Sequence, residues 1–313
     1  MKKELFISVV SPVYQAEKII SELILRVEKE LTKITLLYEI ILIEDCSNDK
    51  SWEEIIKIAS TNDKVKAVKF SRNFGQHAAI KAGLEMAKGD CCIVIDCDLQ
   101  ENPKYIHKLI EEWQKGNEIV LTIKKRRSHS KFKNISAVLF NFIFNLLANK
   151  KTSKVSSQIG SFSLISRKVI AAFNQFNDYQ FHYLMVLSWL GFEKSYIYIT
   201  HNERFDGKSS YNFKKLVNHA LVGIIYQSDK LLRFGIYIGF IFSIFSLISI
   251  VFIIVNFFIG GYQPGWASLF VLISFSTGLI LMGIGILGLY IGKIFEQVKN
   301  RPQYIISEKI NFN

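Results

Sequence analysis

Residues 89–103 read GDCCIVIDCDLQENP. A Gly-Asp turn opens onto five apolar residues, 91–95, and these run straight into two carboxylates one residue apart, Asp96 and Asp98. An apolar run without alternation is the pattern of a central parallel strand covered on both faces. Asp96 and Asp98 then fall where that strand ends, and open α/β sheets bind ligands just beyond the carboxyl ends of their strands. Two acids there, with Cys97 between them, suit a hard divalent cation, which in turn neutralises a diphosphate. The plain alternative is a solvated Asp-x-Asp turn, because the motif alone is common.

Upstream, the same grammar repeats. Residues 4–10 form an apolar strand that ends in Ser11-Pro12-Val13-Tyr14, and 16–29 carry helical spacing through Ile19, Ile20, Leu23, Ile24 and Val27. A second strand over 38–43 ends in Glu44-Asp45-Cys46-Ser47-Asn48-Asp49. Ser51 is placed to cap the next helix, with Glu54 three residues on completing a capping box. A third strand, 65–70, is followed by Ser71-Arg72-Asn73-Phe74-Gly75 and a helix that runs through Ala87. Strand and helix alternate, and polar residues cluster after each strand, which predicts a Rossmann-like nucleotide-binding half. No Gly-x-Gly-x-x-Gly follows the first strand, which argues against a dinucleotide cofactor.

These motifs, in this order, resemble family-2 glycosyltransferases of the GT-A fold. They are Pro12-x-Tyr14, Glu44-Asp45-x-Ser47-x-Asp49, Arg72-Asn73-Phe74-Gly75, Gly89-Asp90 and Asp96-x-Asp98-Leu99-Gln100-x-x-Pro103. The likeness is to the polyprenyl-phosphate group, which includes dolichol-phosphate mannose synthase and bactoprenol glucosyltransferase, and it covers nearly the whole chain. It implies an α/β GT-A domain with a mixed sheet, interfacial amphipathic helices and two C-terminal transmembrane helices. It also implies roles. Pro12, Tyr14, Ile43, Asp45 and Arg72 would hold the nucleotide. Asp96 and Asp98 would bind Mg2+ or Mn2+ and the diphosphate, with Cys97 and Gln100 beside them. Lys124, Arg204 and Lys208 would complete the donor site, Arg204 taking a catalytic part with the two acids. Arg127 would meet the acceptor phosphate. Tyr14 also reads as ordinary core, and Asp45 or Ser47 as a turn or helix cap.

Downstream, the chain departs from the family. Lys124-Lys125-Arg126-Arg127 stands where relatives carry Arg-x-x-Arg, and it also reads as a solvated basic loop. Relatives place an aspartate before Phe-Arg-Leu; here the matching positions hold Gln158 and Ser161, and the Arg position holds Ser163. A strand is expected over 161–169. In HNERFDGKSSY, 201–211, Arg204 and Gly207 match the family loop Arg-x-x-Gly-x-Ser-Lys, but Ser210 replaces the final Lys, and Lys208 is the candidate substitute. Ala16 stands where many relatives carry Glu. A phosphate acceptor tolerates the missing acid, because its second pKa near 6 leaves it largely ionised at neutral pH.

Composition sets the rest. Half of the 313 residues are hydrophobic and the formal charge is +12. Residues 234–292 contain no Asp, Glu, Lys, Arg or His. A bilayer span needs about 20 apolar residues, so this stretch predicts two, over 234–258 and 267–291, broken at 260–266, GGYQPGW. Lys230, Arg233 and Lys293 flank the pair, which sets both ends in the cytoplasm by the positive-inside rule. Residues 134–148 are apolar on most sides yet too short to span, which suits an interfacial helix; a buried core helix is the competing reading.

The expected domains are a cytoplasmic GT-A domain over 1–210, an amphipathic helix over 211–229, a transmembrane hairpin over 230–292 and a cytoplasmic tail over 293–313. Lys2 and Lys3 precede only a brief apolar run with no small-residue cleavage site, so no signal peptide is expected. The four cysteines, Cys46, Cys91, Cys92 and Cys97, are expected as reduced thiols.

The function expected is inverting transfer of a sugar from a nucleoside diphosphate donor, with UDP favoured, to undecaprenyl phosphate at the plasma membrane. The partners are then the donor, the polyprenyl phosphate and the bilayer. No nucleic acid is expected, and homo-oligomerisation is left open. A transferase acting on a lipid-linked or polysaccharide hydroxyl would share the first domain, but would carry more spans and a Gln-x-x-Arg-Trp motif, absent here. A non-catalytic membrane scaffold with a relic nucleotide domain would have lost the two acids.

Overall fold

The computed structural model describes residues 4–124, 159–179, 181–200, 230–260 and 265–312. The chain divides into two units, one of Met1–Ser130, Lys154–Ser210 and Arg301–Asn313, the other of Lys131–Ser153 and Tyr211–Asn300.

The first unit is built on one mixed sheet of eight strands. In chain order its elements are β1 (Ile7–Val13), α1 (Ile20–Leu31), β2 (Tyr38–Glu44), α2 (Ser51–Thr61), β3 (Val65–Phe70), α3 (Gln76–Met86) and β4 (Cys91–Val94). A single 3-10 turn, Pro103–Tyr105, then leads into α4 (Ile106–Gln114) and β5 (Ile119–Lys124). After the gap come β6 (Ile159–Ser166), α5 (Arg167–Asn174), α6 (Tyr183–Trp189) and β7 (Lys194–Ile199), and finally β8 (Ile306–Ile310). The strand order is β7-β5-β6-β4-β1-β2-β3-β8. Strands β3, β2, β1 and β4 run parallel, β6 lies antiparallel to both β4 and β5, and β8 lies antiparallel to β3.

Sequence explains the layering. β1 and β2 are buried along their whole length, so both faces must be covered and neither strand alternates. Helix α1 turns Ile20, Leu23, Ile24, Val27 and Leu31 onto one stripe against one face of the sheet. Helix α3 packs Ala79, Ile80 and Leu84 into the core on the opposite face, together with α5 and α6.

Two local expectations are corrected. Ser51 does not cap α2 as part of a box with Glu54. It is the first residue of the helix and donates to Asp49 Oδ1, while Ala16 N–H donates to its hydroxyl at 2.9 Å. Tertiary contact with the first loop thus takes the oxygen that a cap would use. The strand expected over 161–169 is β6, Ile159–Ser166, and it stops because Ser166 accepts from Val169 N–H and caps α5.

The ends of β5 and β7 and the start of β8 lie at one end of the sheet. Lys124 ends β5 opposite the start of β6, Ile199 ends β7 beside Lys124, and Ile306 opens β8 opposite Phe70. That is the carboxyl edge, where β4 delivers Asp96 and Asp98. Within the segment expected as a tail, Ile306–Ile310 is therefore an edge strand of the catalytic sheet.

The second unit contains α7 (Lys230–Gly260) and α8 (Trp266–Val298). Phe242 of α7 and Phe275 of α8 meet at 5.4 Å between ring centroids. Among the described residues one segment, Phe275–Val298, is long and apolar enough to cross a membrane. The expected helices over 134–148 and 211–229 lie outside the described residues.

Candidate active site

Asp96 leaves the end of β4 with both carboxylate oxygens engaged. Gln76, at the start of α3, donates Nε2 to Oδ1 at 2.7 Å, and Ser161 on β6 donates its hydroxyl to Oδ2 at 2.7 Å. Both donors are neutral, so they orient the carboxylate without cancelling its charge. Burial raises the Asp96 carboxyl above its usual range; the Ser161 bond opposes that rise, and nearby Asp98 adds to it. Asp98 Oδ1 accepts from Gln100 N–H at 3.1 Å, and between them Leu99, at φ 55°, turns the loop back on itself. Cys97 is half-buried, and burial pushes its thiol up to about 12.

Among the described residues no cluster of three or more His, Cys, Asp or Glu could hold a metal ion. A two-carboxylate site is, however, the usual protein share of a Mg2+ or Mn2+ centre whose other ligands are substrate phosphate and water. Asp96 and Asp98 fit that donor set.

A third acid is near enough to this pair to feel its charge. Glu101 is 2% exposed, and among the described residues neither of its side-chain oxygens has a hydrogen-bond partner. Among the described residues its nearest cation is Lys124 Nζ at the end of β5, 3.6 Å from Oε1. Burial, and after it the neighbouring Asp96, pushes its carboxyl up to about 8. The carboxylate has room only because residue 160 is glycine: a Cβ there would lie 2.4 Å from Glu101 Oε1. Sequence reasoning passed over Glu101, whose one signal was a third acid close behind the Asp-x-Asp pair.

The residues expected to hold the nucleotide gather at the ends of β1, β2 and β3. Asp45 is 4% exposed; Phe74 N–H donates to its Oδ1 at 2.7 Å and Gly75 N–H to its Oδ2 at 2.8 Å. Two successive N–H groups can converge on one carboxylate because Gly75 adopts φ 94°, which a residue with a Cβ adopts only under strain. Burial pushes the Asp45 carboxyl up to about 6 against those two backbone bonds. Arg72 lies over the Phe74 ring, 4.3 Å from its centroid. Tyr14 is 44% exposed beside this loop, and Gln15 N–H next to it is held by the Ser47 hydroxyl at 2.9 Å. Pro12 and Ile43 pair in register across β1 and β2. The Ile43 side chain is fully buried in the core on the α3 side of the sheet, which leaves only its backbone for any ligand.

On the far side of Asp96, Ser163 donates to Ser161 O at 2.8 Å and also shares a 2.9 Å hydrogen bond with the buried Tyr183 hydroxyl. The structure thus brings together Asp45 with Arg72, Phe74 and Gly75, and Asp96 with Asp98, Ser161 and Lys124. Arg127, Gln158, Arg204 and Lys208 lie outside the described residues.

Comparison with known proteins places the chain in a family. The model of "Glycosyl transferase family 2" matches residues 8–173, a span from β1 to α5 that holds both acid sites. The chain belongs to glycosyl transferase family 2. It is a glycosyltransferase. A prophage-derived bactoprenol glucosyl transferase of Shigella flexneri is 37% identical over 96% of this chain and 97% of its own length. An uncharacterized glycosyltransferase of Synechocystis is 34% identical over 96% and 95%. Among solved structures, mannosyl-3-phosphoglycerate synthase of Rubrobacter xylanophilus shares the fold, with TM-score 0.52, 14% identity, and coverage of 73% of this chain and 74% of that one. This family-2 enzyme keeps the expected mixed GT-A sheet.

Proposed function

We propose that the enzyme transfers one sugar from a nucleoside diphosphate donor, UDP-linked in our reading, to undecaprenyl phosphate, with inversion at the anomeric carbon. The observation that carries this reading is the likeness to bactoprenol glucosyl transferases along 96% of the chain, far beyond the nucleotide domain. Asp45, with Arg72, Tyr14 and the backbone at Pro12 and Ile43, would hold the nucleotide. Asp96 and Asp98 would hold Mg2+ or Mn2+, with Cys97 and Gln100 in the same loop, and the ion would neutralise the diphosphate as it departs. Lys124, Arg204 and Lys208 add cationic charge at that leaving group. Arg127 meets the acceptor phosphate.

In the transfer, an acceptor phosphate oxygen forms the new bond to the anomeric carbon from one face. The bond to the diphosphate oxygen breaks on the other, and the nucleoside diphosphate leaves with that electron pair. The acceptor oxygen is already largely ionised at neutral pH, so orientation matters more than proton removal. Ser161 supports this, since its hydroxyl is committed to Asp96.

The setting we infer is the plasma membrane. Helices α7 and α8 form a hairpin of two spans, and the catalytic sheet lies in the cytoplasm. Positive charge at Lys230, Arg233 and Lys293 supports that orientation.

The test is to incubate membranes carrying the enzyme with radiolabelled nucleotide sugars and undecaprenyl phosphate, then resolve the lipid extract. One donor should yield a labelled, mild-acid-labile polyprenyl phosphosugar. Excess chelator, or Asp98→Asn, should abolish it. Label appearing only on a hydroxyl of a preformed glycolipid would overturn the acceptor assignment.

A further inference from the structure

The residues that follow α8, 299–312, do more than finish the sheet. Ile305 O accepts from Ser71 N–H at 3.0 Å, and Ser307 donates to Lys69 O, so the returning chain is laced to the end of β3 and the start of the next loop. Asn311 closes the far end, giving Nδ2 to Ala59 O and Val65 O at 2.8 Å each. Ahead of these anchors, Gln303 donates to Asp178 O at 2.6 Å, and the Tyr304 hydroxyl reaches Glu85 on α3.

Tyr304 also begins an aromatic column. Its ring stacks on Phe70 with centroids 5.1 Å apart and planes 16° apart. Phe70 meets Phe74 edge-on at 5.6 Å and 86°. Phe74 and Gly75 are the residues whose N–H groups grip Asp45. We propose that Tyr304 is a positioning residue for the donor nucleotide: through Phe70 and Phe74 it fixes the two backbone N–H groups that orient Asp45. Tyr304 then belongs to the frame of the donor site, although it contributes no atom to the ligand.

The physical case rests on where the loop is supported. Residues 71–75 leave the edge of the parallel core, and Arg72, which covers one side of Phe74, is itself exposed. Phe70 is fully buried, so it transmits the Tyr304 ring position to Phe74 without slack. Edge and stacked aromatic pairs have preferred geometries, so removing one ring frees the next to tilt. A tilt at Phe74 moves the N–H directed at Asp45 Oδ1. A small displacement of a recognition carboxylate weakens hydrogen bonds to a base edge and blurs the distinction between bases.

This inference rests on Asp45 being a nucleotide contact, and its test separates the two. Binding of UDP and of GDP, each with Mn2+, would be measured by titration calorimetry on full-length enzyme in detergent, with melting curves alongside. Tyr304→Ala should weaken UDP about three- to tenfold and narrow the UDP-to-GDP ratio, while Tyr304→Phe, which keeps the ring, stays within about twofold of wild type. Asn311→Ala loosens the same strand at its other end. It should lower the melting temperature while leaving both affinities in place. Unchanged affinity and ratio in Tyr304→Ala would overturn the proposal, as would an equal loss in Asn311→Ala, which would make the effect one of general stability. Asp45→Asn binding UDP as wild type does would remove the nucleotide role of Asp45, and the proposal with it. Asp45→Asn losing affinity while Tyr304→Ala keeps it would leave that role standing and overturn the proposal alone.

Discussion

Asp45 and Asp96 are both carboxylates at strand ends, yet their partners differ in kind. Asp45 takes two backbone N–H groups, whereas Asp96 takes two neutral side chains. Backbone donors cannot rotate away, so Asp45 is held rigidly, and its proton affinity has a direct consequence. With its carboxyl pushed up to about 6, Asp45 carries a proton in part of the free enzyme at mildly acidic pH. A base N–H needs the ionised form as acceptor. Uridine monophosphate affinity should therefore rise from pH 5 to 7 and then flatten, losing up to about tenfold per unit below 6. Stability runs the other way. The folded state binds this proton more tightly than the unfolded chain, so stability falls as pH rises from about 4 to about 6, then stays level with respect to this group. Asp45→Asn should erase both slopes, and calorimetry and melting curves across pH check the two separately. The acids at 45, 96 and 98 were legible in sequence because each follows an apolar run. Glu101 was not, because nothing local marks a loop acid as buried; its burial depends on β6, more than fifty residues away.

Strand β6 shows how an element carries a site that no single motif announces. Antiparallel between β4 and β5, it brings Ser161 against Asp96 and Gly160 against Glu101 in consecutive positions. A methyl group at 160 would meet Glu101 Oε1 at 2.4 Å and Lys124 Cε at 3.1 Å. Gly160→Ala should cost about 1–3 kcal/mol in stability, as overpacking of a close-packed site does. It should also lower transfer, because relief requires Glu101, Lys124 or β6 to move beside Asp96. Adding Glu101→Ala should restore part of the melting temperature but not the rate. If Gly160→Ala matches wild type in both, the packing of Glu101 near the acid pair has been misjudged. The alternation of strand and helix through β4 was readable from hydrophobic period alone. The Ser51 box was misread for a tertiary reason: its hydroxyl accepts from Ala16 N–H, a partner 35 residues away that local pattern cannot supply.

The whole molecule is constrained by its last strand. The segment ISEKI carries Glu308 and Lys309, has no apolar alternation and is mostly exposed, as edge strands are, so hydropathy read it as tail. Its pairing with β3 places residues 306–310 in the same sheet as β1 and β4. Chain that leaves this sheet after β7 and rejoins it at β8 must cross any membrane an even number of times. If Phe275–Val298 spans, one more crossing has to lie between β7 and α8, and α7, with 31 residues at about 1.5 Å each, is long enough to supply it. Single-cysteine reporters at Lys2 and Asn313 should then be protected from an impermeant maleimide in intact cells, and one at Gln263 should be labelled. The reporter at Asn313 is the decisive one, because it follows β8 directly. Labelling at Asn313 with protection at Lys2 would demand an odd number of crossings. That would require β8 to be detached from β3 in the cell, so the same result would also break the aromatic column that begins at Tyr304.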